Sequence, residues 1–112
     1  MSTEHPHTEV WTQDRFGGPE VLVTKERPLP LPGDGEVLLR VRAVGVNASD
    51  WLARSGVAPS YGQPPFTLGR DVSGVVAVGA GVSRFRPGNE VFGMIGGGGC
   101  AVHVTAPAAL TA

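Results

Sequence analysis

The sequence predicts a mainly β domain, a partly open, barrel-like arrangement of short strands with one short helix. The apolar runs are short, and none shows the sustained 3.6-residue periodicity of a long amphipathic helix. The 112 residues include 17 glycines and 10 prolines without a repeat, which indicates many tight turns. Short apolar runs separated by such turns are typical of all-β barrels.

The predicted elements follow from turn residues and alternation. Prolines 28, 30 and 32 favour an extended connector, because proline fixes φ and lacks an amide donor. Gly33-Asp34-Gly35 is predicted to turn. Residues 57–66 contain three prolines and are predicted to form a loop. The predicted strands are Val10–Gln13, Val21–Thr24, Glu36–Val44, Val72–Val78, Glu90–Ile95 and Cys100–Thr105.

The strand with the clearest pattern is Glu36–Val44. Its period of two places Arg40 and Arg42 on one face, which we expect to face solvent. The apolar run Val72–Val78 lacks this alternation, so we expect it to be buried on both faces.

The one predicted helix covers Ala48–Arg54. Asn47 or Ser49 would cap its start, since both side chains can accept a backbone N–H, and Gly56 would end it. The helix is one or two turns long.

Composition indicates one globular domain and argues against several partner classes. Hydrophobic residues make 41% and charged residues 17% of the chain, as in folded proteins. The net charge of −1 offers no field for nucleic acid or anionic lipid. No run reaches the roughly 18 apolar residues of a membrane span. We expect residues 1–7 to form a flexible tail, residues 8–112 to form the domain, and the protein to be cytoplasmic, since its start does not resemble a signal peptide.

Two glycine clusters invite comparison with nucleotide-binding loops. Gly79-Ala80-Gly81 follows a strand, but Arg84 stands at the third glycine position and Pro87 prevents a following helix. Without a helix N-terminus no row of amides faces a pyrophosphate, so we expect a hairpin turn. The four glycines 96–99 lack the lysine of a phosphate loop. We expect a mobile connection there, or a place where a ligand approaches the backbone closely.

The sequence offers few candidates for a metal site or for a nucleophile with its base. His5 and His7 lie in the expected tail. Cys100 and His103 are three residues apart on a strand, hence on opposite faces, and no second cysteine exists to complete a zinc site. Ser49 beside Asp50 has no histidine with a predicted position near it, which disfavours a hydrolase. We therefore predict no metal, and the catalytic residues are unknown.

Several segments together resemble a known family. They are Phe16–Leu22, Gly35–Val41 ("GEVLLRV"), Gly45-Val46-Asn47 with Asp50 and Trp51 ("GVN-x-x-D"), Gly69-Arg70-Asp71, and Phe85–Gly93. In order and spacing they resemble the N-terminal GroES-like catalytic domain of the medium-chain dehydrogenase/reductase superfamily, in its zinc-independent quinone oxidoreductase branch. The resemblance extends from about Val10 to Ala112.

The resemblance implies a site and a cofactor. Zinc-dependent relatives carry a cysteine ligand near "GVN-x-x-D" and Gly-His-Glu in place of Gly69-Arg70-Asp71, so both departures imply zinc-free chemistry. In this branch Asn47 would contact the nicotinamide end of NADPH, or it could simply cap the helix, and the two roles are compatible. The candidates for the substrate pocket are Asp50, Trp51, Tyr61, Phe66 and Arg70.

Other departures concern the substrate. Leu52 and Ala58 stand where quinone reductases often have tyrosines, and Tyr61 lies near enough to compensate. Asn89 replaces the usual aspartate of a Gly-Asp-x-Val turn. Cys100 and Val102 stand where the family often has an aromatic residue and a glutamate. These changes leave the substrate open.

The resemblance also implies a missing part. The family continues into a Rossmann domain that binds NADPH, and then returns to complete the sheet of the catalytic domain. We therefore expect this chain to be inactive in redox chemistry by itself, to expose a strand edge, and to form a homodimer or aggregate. Two alternatives stay open: a complete barrel repurposed to bind a small apolar ligand or to template a non-redox reaction, and a module that pairs with a separate nucleotide-binding subunit.

Overall fold

The computed structural model describes residues 6–58, 61–79 and 85–108. The elements in chain order are β1 (His7–Thr12), a 3-10 turn (Pro19–Val21), β2 (Val23–Pro28), β3 (Glu36–Gly45), α1 (Ala48–Ser55), β4 (Asp71–Gly79), β5 (Glu90–Met94) and β6 (His103–Pro107). The mainly β fold class with one short helix is confirmed.

The strands form a four-stranded antiparallel sheet, ordered β5-β4-β3-β6, and a two-stranded hairpin of β1 and β2. The hairpin joins the sheet through residues 100–102. The N–H of Trp11 donates to the carbonyl of Cys100, and the N–H of Val102 donates to the carbonyl of Glu9, both at 2.9 Å. The barrel is not closed, because β6 pairs with β3 only along Glu36–Arg40 and through the Val41 N–H. Beyond Val41, none of the described residues forms a strand pair with this edge of β3.

The core lies on the inner face of the four-stranded sheet. Apolar side chains from all four strands, from the β4–β5 connection and from the residue after β5 pack there at 0–9% exposure. Such burial of apolar area is the main stabilising term of a domain of this size. The core residues are Val37, Leu39, Val72, Val76, Phe85, Val91, Ile95, Val104 and Ala106.

The alternation of buried and exposed residues predicted for β3 is confirmed for its two arginines. It is interrupted before them, at Leu38. Arg40 and Arg42 are both exposed. Leu38, however, is as buried as its neighbours Val37 and Leu39. The register against β4 shifts between Leu38 and Leu39, and such a bulge breaks strict alternation of faces.

Four sequence-based predictions differ from the structure, one in burial and three in strand boundaries. The strand predicted over Val21–Thr24 is β2 over Val23–Pro28, because Val21 belongs to the 3-10 turn. β4 was expected to be buried on both faces, which is wrong: Val78 is 47% exposed, because the antiparallel sheet covers only its inner face. β1 begins at His7, whose partner in β2 is Pro28, so the hairpin reaches one residue into the expected tail. β6 begins at His103, since residues 100–102 make only an isolated bridge to β1. The turn predicted at residues 79–81 falls largely on residues outside the described ranges.

The glycine run 96–99, expected to be mobile, is held by the protein itself. The N–H groups of Gly98 and Gly99 donate to the carbonyls of Thr67 and Gly69, each at 2.9 Å. A Cβ on Gly97 would lie 2.6 Å from the ring of Tyr61, and φ is +149° there. Glycine is therefore required because the loop lies directly against another segment of the same chain.

We predict that Gly99→Ala destabilises the fold by about 1–3 kcal/mol, because its Cβ would lie 2.6 Å from Val72 and 2.9 Å from the carbonyl of Gly69. Gly96→Ala is the matched control from the same run, since its Cβ would meet nothing within 4 Å. Urea unfolding followed by circular dichroism measures both variants. Equal midpoints for the two would contradict the packing of this loop.

Candidate functional site

The site forms around the buried carboxylate of Asp50, in the first turn of α1. Asp50 is 5% exposed. Its Oδ2 accepts the backbone N–H of Asn47 at 3.0 Å, within a capping box at the helix start. Its Oδ1 accepts the hydroxyl of Tyr61 at 3.0 Å and the N–H of Gly69 at 3.3 Å. A buried charge persists where it is hydrogen-bonded in this way, so Asp50 fixes three segments to one another.

Tyr61 connects Asp50 to an aromatic stack. The centre of its ring lies 5.3 Å from that of Phe66 at an interplanar angle of 25°. The guanidinium carbon of Arg70 lies over the ring, 4.4 Å from its centre. Burial, followed by the hydrogen bond and the charge of Asp50, raises the pKa of Tyr61 from 10.0 to about 12. The phenol is therefore protonated near neutrality and donates a hydrogen bond to Asp50. This arrangement suits a positioning group better than a proton donor to substrate.

Asn47 and Trp51 occupy the exposed side of the same helix. Asn47 is the N-cap residue of α1, so the capping position predicted for it is confirmed. Its Nδ2 donates to Oδ2 of Asp71 at 2.6 Å. Trp51 is 49% exposed and lies four residues later, hence one helical turn away on the same face. An amide and a large apolar ring are thus both exposed to solvent near the start of α1.

The structure divides the sequence candidates into two neighbouring groups. Asp50, Tyr61, Phe66 and Arg70 form the cluster described above, while Asn47 and Trp51 lie on the surface of the helix that Asp50 anchors. Asp71 was missed as a partner of Asn47. Its pairing opposite Gly45 across β3 and β4 brings it there, and only the strand register reveals that contact.

A second feature that the sequence did not reveal is the β3 cavity, an open apolar cleft of about 590 Å³. It lies between residues 99–102 and the second half of β3, on the edge of β3 that faces away from β4. Burial raises the pKa of the Cys100 thiol in its wall, so this thiol is not an activated nucleophile. The cavity is lined by Glu9, Trp11, Leu22, Arg40–Val44, Leu68 and Gly99–Val102.

Cys100 and His103 do not share a site. Cys100 faces the β3 cavity, whereas Nδ1 of His103 lies 2.9 Å from the hydroxyl of Thr8 in β1. Burial and then the charge of Arg40 lower the pKa of His103. Over residues 6–58, 61–79 and 85–108, no three histidine, cysteine or acidic side chains gather in a group that could hold a metal ion. No helix in these ranges is long and apolar enough to cross a membrane.

We predict that alkaline titration of the folded chain gives a tyrosinate midpoint at about 12. Tyr61 is the only tyrosine, so near-ultraviolet absorbance reports on it alone. The folded state keeps a proton that the unfolded state loses above about pH 10, so stability should fall as pH rises between about 10 and 12.

Two controls for this titration separate the effect of burial on the pKa of Tyr61 from the effect of Asp50. In urea the midpoint should return to about 10. In Asp50→Asn it should fall but stay above that value, because burial is the larger cause of the raised pKa. A folded-state midpoint near 10 would contradict the buried Tyr61–Asp50 hydrogen bond.

Comparison with known proteins places this geometry in a family. Residues 33–111 match the alcohol dehydrogenase GroES-like domain. The chain is similar to a quinone oxidoreductase from Sus scrofa, 45% identical over 80 residues, covering 70% of this chain and 24% of that protein. It is also similar to the chloroplastic quinone oxidoreductase QR1 of Triphysaria versicolor, 39% identical over 101 residues, covering 85% of this chain and 31% of the relative.

Solved structures agree with these relatives. A quinone oxidoreductase from Coxiella burnetii superimposes with a TM-score of 0.84 and 28% identity, over 96% of this chain and 37% of that one. A mycobacterial protein complexed with NADPH gives a TM-score of 0.83 and 37% identity, over 94% of this chain and 32% of that one. The chain thus spans about a quarter to a third of the length of these curated relatives. It belongs to the alcohol dehydrogenase GroES-like domain family, in the quinone oxidoreductase branch of the medium-chain dehydrogenase/reductases.

Proposed function

We propose that this chain is the substrate-side domain of an NADPH-dependent quinone or enone oxidoreductase. The observation that carries the proposal is the exposed Asn47 amide, held at the start of α1 by Asp71. Such an amide offers a donor and an acceptor to a carboxamide or a ribose hydroxyl. The quinone oxidoreductase relatives and the similar structure complexed with NADPH support the assignment.

The chemistry needs few reactive groups from the protein. When bound, NADPH supplies a hydride, and a quinone that takes up this hydride and a proton becomes a hydroquinone while NADP⁺ remains. The chain contributes orientation and exclusion of water. Asn47 binds the nicotinamide end, and Trp51 presents an apolar surface one turn along the helix. Asp50 holds the helix start that carries both.

The substrate in this proposal lies against the region around α1. Trp51 contacts it, and the stack of Phe66, Tyr61 and Arg70 forms the adjoining wall, with Asp50 acting through Tyr61. The reaction proceeds without zinc. Arg70 supports this point, because a protonated guanidinium has no lone pair for a metal, and an amide such as Asn47 is a weak ligand.

Cofactor binding tighter than millimolar requires a partner surface. In the described part of the chain the only α-helix is α1, with eight residues, and it does not follow a glycine-rich phosphate loop. We propose that the chain alone is inactive in redox chemistry and that a Rossmann-type nucleotide-binding partner completes the site. The unpaired edge of β3 also supports a homodimer as an alternative partner. A cytoplasmic location stays a prediction.

We predict that NADPH binds the 112-residue chain no more tightly than millimolar, because the described surface offers the cofactor one amide and no phosphate cradle. Emission of Trp11 and Trp51 during an NADPH titration measures this. Saturable quenching at micromolar NADPH would overturn the proposed dependence on a partner.

A chimera tests the function itself. This chain replaces the equivalent part of the Coxiella burnetii quinone oxidoreductase, and NADPH oxidation is followed with a naphthoquinone. We expect quinone-dependent turnover that Asn47→Ala reduces by at least tenfold, whereas Asn89→Ala, in the exposed β4–β5 turn, leaves it unchanged. A folded chimera without turnover, or equal turnover in the two variants, would argue against the role of Asn47.

A second candidate function is favoured by the β3 cavity. Its volume of about 590 Å³ lies in the range of small-molecule sites, and its walls are mainly apolar. In this alternative the chain is a standalone barrel that binds a small apolar ligand or templates a non-redox reaction, with Trp11 and Val102 at the cavity.

We predict for this alternative that an uncharged naphthalene probe quenches Trp11, which lines the cavity and is 50% exposed, and leaves Trp51 unaffected. Emission titrations of Trp51→Phe and Trp11→Phe isolate the two tryptophans. Saturable quenching should persist in Trp51→Phe and vanish in Trp11→Phe. No saturation in either variant would remove support for this second function.

A further inference from the structure

The contact between Asn47 and Asp71 joins two elements at the exposed end of the sheet. Asn47 lies two residues after the end of β3 at Gly45 and caps α1, while Asp71 is the first residue of β4. Their side chains meet at 2.6 Å, from Nδ2 to Oδ2. Bonds from an amide N–H to an ionised carboxylate are short and about twice as strong as neutral ones.

The backbone around this pair allows the close approach. Gly45 pairs with Asp71 across the two strands. A Cβ on Gly45 would lie 3.1 Å from the Cβ of Asp71, so a larger residue would press on the carboxylate. The strand register and this glycine together hold Asp71 beside the helix start.

The pair decides which atom of the Asn47 amide is available. An exposed asparagine can turn its amide so that either the NH₂ group or the carbonyl faces outward. A carboxylate only accepts hydrogen bonds, so Asp71 can bind only the NH₂ group. The carbonyl Oδ1 then lies on the side away from Asp71, toward the helix start. There the capping box offers it the N–H of Asp50 and leaves one of its two lone pairs for a ligand. An amide held in this way presents an acceptor and suits a ligand group that donates.

We propose that Asp71 is a positioning residue that orients Asn47 to accept a hydrogen bond from a donor on the nicotinamide half of NADPH, its carboxamide N–H or a ribose hydroxyl. The inference rests on the proposed function, since it assigns the partner of Asn47. Asp71 itself does not contact the cofactor. Its contribution is to remove the alternative amide orientation, which would leave the ligand donor facing an NH₂ group.

The first measurement tests the pair by itself. The chain has two asparagines, Asn47 and Asn89, so side-chain amide resonances in a ¹⁵N-labelled sample are easily assigned with Asn47→Ala. We expect Asp71→Ala to shift the Asn47 amide resonances and to leave those of Asn89 in place. Asp71→Asn keeps an acceptor oxygen and should partly restore the Asn47 position. Unchanged Asn47 resonances in Asp71→Ala would overturn the inference.

The second measurement tests the link to the ligand. The probe is reduced nicotinamide mononucleotide at millimolar concentration, followed through the Asn47 resonances and the backbone of α1. We expect Asp71→Ala to weaken binding of the probe about fivefold, which is the effect of losing one oriented hydrogen bond. Glu90→Ala, an exposed acidic residue on β5, is the matched control and should bind like the unaltered chain. Equal affinity in Asp71→Ala and the unaltered chain would overturn the inference.

A double variant separates positioning from a structural effect. If Asp71 acts through Asn47, then Asp71→Ala should have no further effect on the probe once Asn47→Ala is present, with α1 resonances as the readout. Equal weakening in both backgrounds would mean that Asp71 acts independently, and the inference would fail. If the probe causes no shifts in the unaltered chain, the proposed contact of Asn47 fails, and the inference fails with it. Shifts that depend on Asn47 but not on Asp71 overturn this inference alone.

Discussion

The carboxylate of Asp50 is the group on which the arrangement around α1 depends. It accepts the N–H of Asn47, the hydroxyl of Tyr61 and the N–H of Gly69, so segments 22 residues apart meet at one buried charge. Without the carboxylate the N–H of Asn47 and the hydroxyl of Tyr61 would lose their acceptor, and burying an unsatisfied polar group is costly. The N–H of Gly69 would keep the hydroxyl oxygen of Tyr61 at 3.0 Å. The carboxylate also holds Asn47 at the helix start. The surface that we propose for the cofactor is therefore built from inside the domain.

Close packing between Gly69 and Gly99 also stabilises the arrangement around Asp50. Gly69 and Gly99 face each other so closely that a Cβ on Gly69 would lie 2.8 Å from the N atom of Cys100. This contact brings residues 97–99 against Tyr61 and opens the β3 cavity beyond them. Site and cavity are thus two sides of one packed loop. A ligand in the cavity would touch Leu68 and Gly99, which adjoin the segment bound to Asp50.

The sequence predicted most elements and some of the chemistry. The alternation of Glu36–Val44, the cap at Asn47 and the stop at Gly56, where φ is +88°, were readable because each depends on neighbouring residues. The hydrogen bonds of Gly98 and Gly99 to Thr67 and Gly69 were not predicted, since composition does not reveal such contacts. The prediction that β4 is buried on both faces was wrong, because an apolar run does not show whether one face of the sheet or both are covered.

The sequence by itself determined the family, the mainly β fold and the identity of most candidate residues, because short-range patterns and motif spacing are encoded locally. Tertiary structure alone decided what those residues touch. It buried Asp50, directed the hydroxyl hydrogen of Tyr61 to that carboxylate, and set Asp71 against Asn47. Among the described residues it also left the edge of β3 that faces away from β4 without a strand partner beyond Val41. Such contacts follow from strand register and loop packing between residues distant in sequence, which no local pattern specifies.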